Sequence, residues 1–186
     1  MLIMKAITRS SKEKLFEFSF SDTILELLTL HQLSMEEVLS QAKLSDRSRV
    51  QRSLYYLKRK QFLAFPAKSP KGHIVLTKLG LRRLNKRKFE KLNIEETAWD
   101  GRWRLLTFDI PEKQAGARHV LQRKLKQLGF YHFQRSVFML PYECKKEILM
   151  IASYLKIAPC VHLLLADRFQ GDEQLIKKFS LHLPRN

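Results

Sequence analysis

Residues 45–61, SDRSRVQRSLYYLKRKQ, decide how the first half of the chain is read. Ser45-Asp46 is a helix-start signal, and Val50, Leu54 and Leu57 follow at i, i+4 and i+7 as one narrow apolar stripe. A helix turns by about 100° per residue, so burying that stripe points Ser48, Arg49, Gln51, Arg52 and Tyr55 outward. Arg47 stands beside them at the helix start.

Working outward, two shorter helices precede this one. Ser21-Asp22 reads as an N-cap before TILELLTLH, where Ile24, Leu27 and Leu28 recur at helical spacing. Ser34 precedes MEEVLSQAK, with Glu37 three residues on, the pattern of a capping box. After the third helix, FLAFPAKSPKGHIVLT contains two β-prone runs around Ser69-Pro70-Lys71-Gly72, which predicts a hairpin. The closing stretch TKLGLRRLNKRKFEKL predicts a helix carrying Leu79, Leu84 and Phe89. Three helices, a basic hairpin and a closing helix are the order of a winged helix-turn-helix, expected over residues 1–92.

That order gives the outward residues a chemistry. Arg, Gln and Ser side chains read base edges or hold phosphates in a major groove. The expected DNA contacts are Arg47, Ser48, Arg49, Gln51, Arg52 and Tyr55, with Lys68 and Lys71 of the hairpin reaching the adjacent backbone. His73 shares that hairpin, where a lone histidine is more often simply solvated. The competing reading is that Arg47, Arg49, Arg52, Lys58, Arg59 and Lys60 only solvate a helix. Third place in the motif, ahead of a basic hairpin, favours contact with DNA.

Charge agrees with a polyanionic partner. Among 186 residues, 35 Lys and Arg face 18 Asp and Glu, leaving +17 and a pI near 10.1. Residues 1–97 carry +10 and residues 98–186 carry +7, so both halves are basic. Each neutralised phosphate releases condensed counterions, which makes such a chain bind nucleic acid or an anionic surface. No apolar run approaches the roughly 20 residues of a membrane span, and MLIMKAITRSSKEK is too short in apolar residues for a signal peptide. Cys144 and Cys160 are the only cysteines. They form no CxxC and no Cys/His ligand spacing, so two reduced thiols in a cytoplasmic protein are expected.

The second half begins beyond a polar seam near Lys88–Ala98 that ends in the turn signal Asp100-Gly101. RWRLLTFDIP reads as a central strand. EKQAGARHVLQRKLKQLG reads as a helix starting at Pro111-Glu112, with Val120, Leu121, Leu125 and Leu128 inward and Gly129 as its C-terminal stop. FYHFQRSVFMLP suits one bent strand or a hairpin, CKKEILMIASYLK an amphipathic helix, and CVHLLLAD a last strand. The order βαββαβ predicts a ferredoxin-like unit over residues 98–186, and with the first half an α+β protein.

The stretches WDGRWRLLTFDIPEK and LQRKLKQLGFYHFQRSVFMLPYE closely resemble the central domain of the PaaX-like transcriptional repressors. That domain is similar in turn to the CRISPR-associated Cas2 nucleases. Shared elements are the strand end Phe108-Asp109-Ile110, helix arginines Arg118 and Arg123, and the strand Gln134-Arg135-Ser136-Val137-Phe138. The resemblance spans about residues 98–170, and the winged half also fits the PaaX-like arrangement. It implies a repressor that dimerises through residues 98–186, binds double-stranded DNA and needs no cofactor. PaaX-like repressors usually continue into a third domain implicated in sensing an acyl-CoA effector, whereas this sequence stops at Asn186.

The Cas2 side of the resemblance implies a different class, a metal-dependent endonuclease. Asp109 from each of two protomers would then hold one Mg or Mn ion that activates water. The structural alternative for Asp109 is to cap the helix at Pro111-Glu112 or to pair with an arginine such as Arg135. A third reading is a non-catalytic scaffold in CRISPR adaptation, its basic second half holding duplex DNA.

Overall fold

The computed structural model describes residues 20–31, 33–40, 46–65 and 73–181. The first helix, α1 (Phe20–Leu30), buries Ile24, Leu25, Leu27 and Leu28. It begins two residues before Asp22, which is therefore not its cap. Asp22 lies in the first turn, 2% exposed, and accepts a hydrogen bond from Arg83 Nε at 3.0 Å, with Arg87 Nε at 3.8 Å. A buried carboxylate keeps its charge only with such partners, and here they come from a helix some sixty residues away.

Helix α2 (Met35–Ser40) starts as its sequence says. Ser34 N donates to Glu37 Oε2 at 2.7 Å and Glu37 N donates to Ser34 Oγ at 3.2 Å, both halves of the capping box. Helix α3 (Arg47–Arg59) follows, its N-cap Asp46 making no side-chain capping bond. Strands β1 (Leu63–Ala64) and β2 (Val75–Leu76) pair antiparallel, Leu63 opposite Leu76. The returning strand is also fastened to the start of α2: Ser34 and His73 form an isolated bridge, and Ile74 N donates to Leu33 O at 2.8 Å.

Helix α4 (Lys78–Lys91) is capped by Thr77, whose Oγ1 accepts from Gly80 N at 3.0 Å and donates to Gln61 O at 2.7 Å. The helix passes so close to the α3–β1 connection that a Cβ on Gly80 would stand 2.2 Å from Phe62 O. Glycine is required there for space. Leu84 is buried, Phe89 is half-buried and Leu79 is exposed, so the predicted inner face of α4 loses Leu79. The helices and hairpin share one core, to which Val38, Val50, Leu54, Leu57, Leu63 and Ile74 contribute.

The chain divides into two compact units, Met1–Lys91 and Leu92–Asn186. The predicted seam is less loose than its polar composition suggests. α4 runs through its first residues, and Leu92 and Ile94 are 5% and 6% exposed.

The second unit is built on β3 (Trp103–Phe108), β4 (Tyr131–Gln134), β5 (Val137–Leu140) and β6 (Val161–Ala166), in sheet order β4-β5-β3-β6 with every neighbour antiparallel. β3 is central, as its apolar run predicts. The double run after Gly129 is a hairpin, with an irregularity between His132 and Gln134. Helix α5 (Ala115–Gln127) follows a 3-10 turn at Glu112–Gln114, so the α-helix itself starts later than Pro111-Glu112. Gly129 at φ +86° ends it, with Phe130 N donating to Leu125 O at 3.0 Å. Leu121, Leu125 and Leu128 are buried as expected, but Val120 is only half-buried. Lys124 takes a place on the inner face, its Nζ donating to Leu92 O and Gln127 Oε1, each at 3.4 Å. Helix α6 (Lys145–Leu155) buries Ile148, Ile151 and Ala152.

Residues after β6 form a cover that the strand-and-helix pattern does not announce. Helix α7 (Glu173–Lys178) and its flanks bring Phe169, Leu175, Ile176, Phe179 and Leu181 against Trp99, Trp103 and Met139. Asp172, fully buried, accepts from Trp103 Nε1 at 3.0 Å and from both Arg168 Nε (3.1 Å) and Nη2 (2.9 Å). The cover lies on the sheet face to which Trp103 and Met139 point. Strand alternation sends Leu106, Phe108 and Phe138 to the opposite face.

Candidate nucleic-acid interface

The polarity of α3 is sharply divided. Val50, Leu54 and Leu57 are at most 1% exposed, whereas Arg47, Ser48, Arg49, Gln51, Arg52 and Tyr55 are all exposed. Ser48, Gln51, Arg52, Tyr55, Tyr56 and Arg59 line one shallow open trough along the helix. The 3.6-residue period brings them together, because positions three, four and seven apart share a face. Arg52 Nε donates to Ser48 O at 3.3 Å, which lays the guanidinium along the trough. The Tyr55 ring is 67% exposed, a large amphipathic surface facing solvent.

Two predicted contact residues stand outside this trough. The Arg49 guanidinium sits 4.4 Å from the centroid of the Phe20 ring, a cation–π contact that leans it back onto α1. Arg47 is exposed at the helix start but does not line the trough. Lys68 and Lys71 lie outside the described residues. His73 is half-buried and engaged through its backbone with Ser34. Tyr56 was not among the expected contacts, and Arg59 entered only as a solvated cation, although Arg59 follows Arg52 by seven residues, two full turns along the same face.

The electrostatics of α3 differ from those of the sheet. α3 contains no acidic residue, and among the described residues neither Arg52 nor Arg59 is ion-paired. In the second unit, buried Arg104 is held by Asp100 through Nη1 at 2.6 Å and Nη2 at 2.9 Å, and it also donates to Pro141 O at 2.9 Å. The Arg104 hydrogen bond holds the Asp100 carboxyl below its ordinary range against the opposing pull of burial. Arg168 does the same for Asp172. These arginines are spent on the fold, whereas among the described residues Arg52 and Arg59 make no ion pair.

Asp109 is exposed just past β3, its backbone N–H donating to Cys160 O at 3.0 Å. Its side chain makes no ion pair among the described residues, and the 3-10 turn after it has no side-chain cap. Arg118, not Asp109, ties that turn down, donating to Ile110 O at 2.6 Å and Glu112 Oε2 at 3.0 Å. Among the described residues no three His, Cys, Asp or Glu side chains cluster as metal ligands. Burial, with Glu143 and Glu147 nearby, pushes the Cys144 thiol up to about 12, so it stays protonated and poorly nucleophilic. Among the described residues no helix is long and apolar enough to cross a membrane.

Comparison with known proteins bears on the second unit. A search of curated proteins found no match. Among solved structures, uncharacterized protein Rv0674 from Mycobacterium tuberculosis aligns with 85% of this chain at 18% identity and a TM-score of 0.35, a likeness too loose to bear on fold or function. The chain spans 64% of that protein's length. Residues 96–176 match the protein family described as the PaaX protein central Cas2-like domain. They cover the sheet, both of its helices and the start of the C-terminal cover, so the likeness to that domain extends over most of the second unit.

Proposed function

We propose that the chain is a DNA-binding transcriptional regulator of the PaaX-like type, acting in the cytoplasm as a homodimer. In this reading the first unit is a winged helix-turn-helix, α3 is its recognition helix, and the β1–β2 hairpin with Lys68 and Lys71 is its wing. The observation that carries it is the α3 trough, where Ser48, Gln51, Arg52 and Tyr55 stand exposed over a buried Val50–Leu54–Leu57 stripe. Ser48, Gln51 and Arg52 would meet base edges, and Arg47, Arg49, Arg59 and the wing lysines would meet phosphates. Dimerisation through residues 98–186 would pair two recognition helices about a two-fold axis and make the target an inverted repeat. Edge strand β6 supports a surface for this, since it carries no charged residue and leaves Leu164 and Leu165 50% and 60% exposed.

Selection of bound duplexes from a random pool tests the reading, with enrichment of an inverted repeat expected. On the selected site, Arg52→Ala should cost about 1–3 kcal/mol and relax preference at one base position. Recovery of no sequence preference, or selected-site binding indifferent to Arg52→Ala, would overturn α3 as the reading helix.

A second reading, the Cas2-type nuclease, draws on the exposure of Asp109 at the end of the first strand of a Cas2-like domain. One carboxylate is a poor site for a divalent ion, so this requires Asp109 of two copies to meet. Cleavage of DNA or RNA with Mg or Mn that Asp109→Asn abolishes would favour it over the regulator. The CRISPR-adaptation scaffold needs no such cleavage and would hold duplex DNA without sequence preference.

A further inference from the structure

Of the two arginines that line the α3 trough, Arg52 lies in the first half of the thirteen-residue helix and Arg59 ends it. Recognition helices of helix-turn-helix motifs put their N-terminal residues at base edges, and Arg59 stands about 10.5 Å of helix rise beyond Arg52. Arg49 is turned onto the Phe20 ring, and Arg47 lies outside the trough. Arg52 is thus the cation of α3 placed to meet a base.

Its own hydrogen bond narrows which base. Arg52 Nε donates to Ser48 O at 3.3 Å, so the Nε edge of the guanidinium is engaged on the helix. The Nη1–Nη2 end is left to meet a partner with two parallel donors. Guanine sets two acceptors, N7 and O6, side by side on its major-groove edge; adenine and thymine offer one acceptor there, and cytosine a donor. An end-on fork therefore matches guanine and leaves a donor idle on any other base. A phosphate could also accept the fork, but phosphate sites gather cations, and the trough residues around Arg52, namely Ser48, Gln51, Tyr55 and Tyr56, are not cations.

Gln51, exposed in the same trough, has the complementary chemistry. Its amide sets one donor beside one acceptor, the pair that meets adenine N7 and N6 together. α3 has no Asp or Glu to accept from cytosine N4. We infer, in a step that rests on the regulator reading, that α3 reads a half-site containing a guanine and an adenine. Arg52 takes the guanine through its Nη1–Nη2 end, and Gln51 takes the adenine.

The test selects duplexes from a random pool with the full chain. Each position of the selected half-site is then replaced by the other three bases, with affinity followed by fluorescence anisotropy at fixed salt. Arg52→Ala should cut the preference for one guanine by about 5- to 150-fold and leave the other positions as they were. Gln51→Ala should do the same at one adenine. Gln51→Arg should move the preference there from adenine to guanine, which a merely structural role would not produce. Arg49→Ala should alter no base preference. Thermal melts matching the unaltered chain show that the variants are folded. A loss in Arg52→Ala that is equal for every sequence puts Arg52 on a phosphate and overturns the inference. So does a preference lost at a base other than guanine. Both outcomes leave α3 standing as the bound helix, whereas an unaltered chain that selects no sequence overturns the recognition-helix reading and the base assignment together.

Discussion

Helix α3 and the second unit put the same side chain to opposite uses. On α3, Arg52 and Arg59 stand in an open trough on a helix without one acidic residue. In the second unit, Arg168 of the C-terminal cover and Arg104 of β3 are clamped by Asp172 and Asp100, and the two carboxyls are held below their ordinary range in return. A net charge of +17 therefore understates how unevenly charge is available. Paired arginines consume their hydrogen bonds inside the fold, and unpaired ones keep theirs for a phosphate or a base edge. Composition reports the sum, and only the arrangement shows which cations an external anion can meet.

The sharpest way to break this contrast is on the sheet side. Trp103 is fully buried and donates to Asp172, so Trp103→Ala should lower the unfolding free energy by about 3–5 kcal/mol in urea titration. A loss under about 1 kcal/mol would mean that the C-terminal cover is not packed as described.

Acid should erode the same region. A carboxyl whose folded-state pKa is depressed stabilises the fold fully above its unfolded value, about 3.9, and loses that contribution as pH falls through the folded value. The stability gap between the unaltered chain and Asp172→Asn should be widest near neutral pH and shrink below about pH 4. Melting curves at several pH values check this, and a gap independent of pH would show that the Arg168 pairing adds nothing. The smallest effect belongs to α3. Arg59→Ala should alter stability by no more than about 0.5 kcal/mol in the same titration, while weakening binding to duplex DNA and reducing its salt slope by about 0.9.

Local periodicity made much of this molecule legible. The Val50–Leu54–Leu57 stripe identifies the buried side of α3, Ser34 and Glu37 announce the start of α2, and Gly129 marks the end of α5. Each of those signals is exchanged between residues a turn or two apart. What escaped was set by distant partners. Asp22 has the composition of a cap, yet Arg83 and Arg87 draw it into the core. Lys124 holds an inner position because Leu92 O and Gln127 receive its ammonium group. For the candidate site, the outward set of α3 followed from geometry. The withdrawal of Arg49 depended on a ring at Phe20 that no spacing within α3 encodes. The inclusion of Tyr56 and Arg59 needed only the same period followed one turn further.

The C-terminal cover has a consequence for how the sheet is shared. A four-stranded sheet with helices on one side ordinarily offers its bare side as a platform, but here Phe169, Leu175, Ile176, Phe179 and Leu181 occupy the part around Trp103 and Met139. The chain is its own first tenant on that platform. Whatever else comes to the sheet has vacancies toward the β6 margin, where Leu164 remains half-exposed. The family match closes at residue 176, three residues short of Phe179. A chain trimmed to the matched boundary would keep every strand of the sheet and surrender part of its roof.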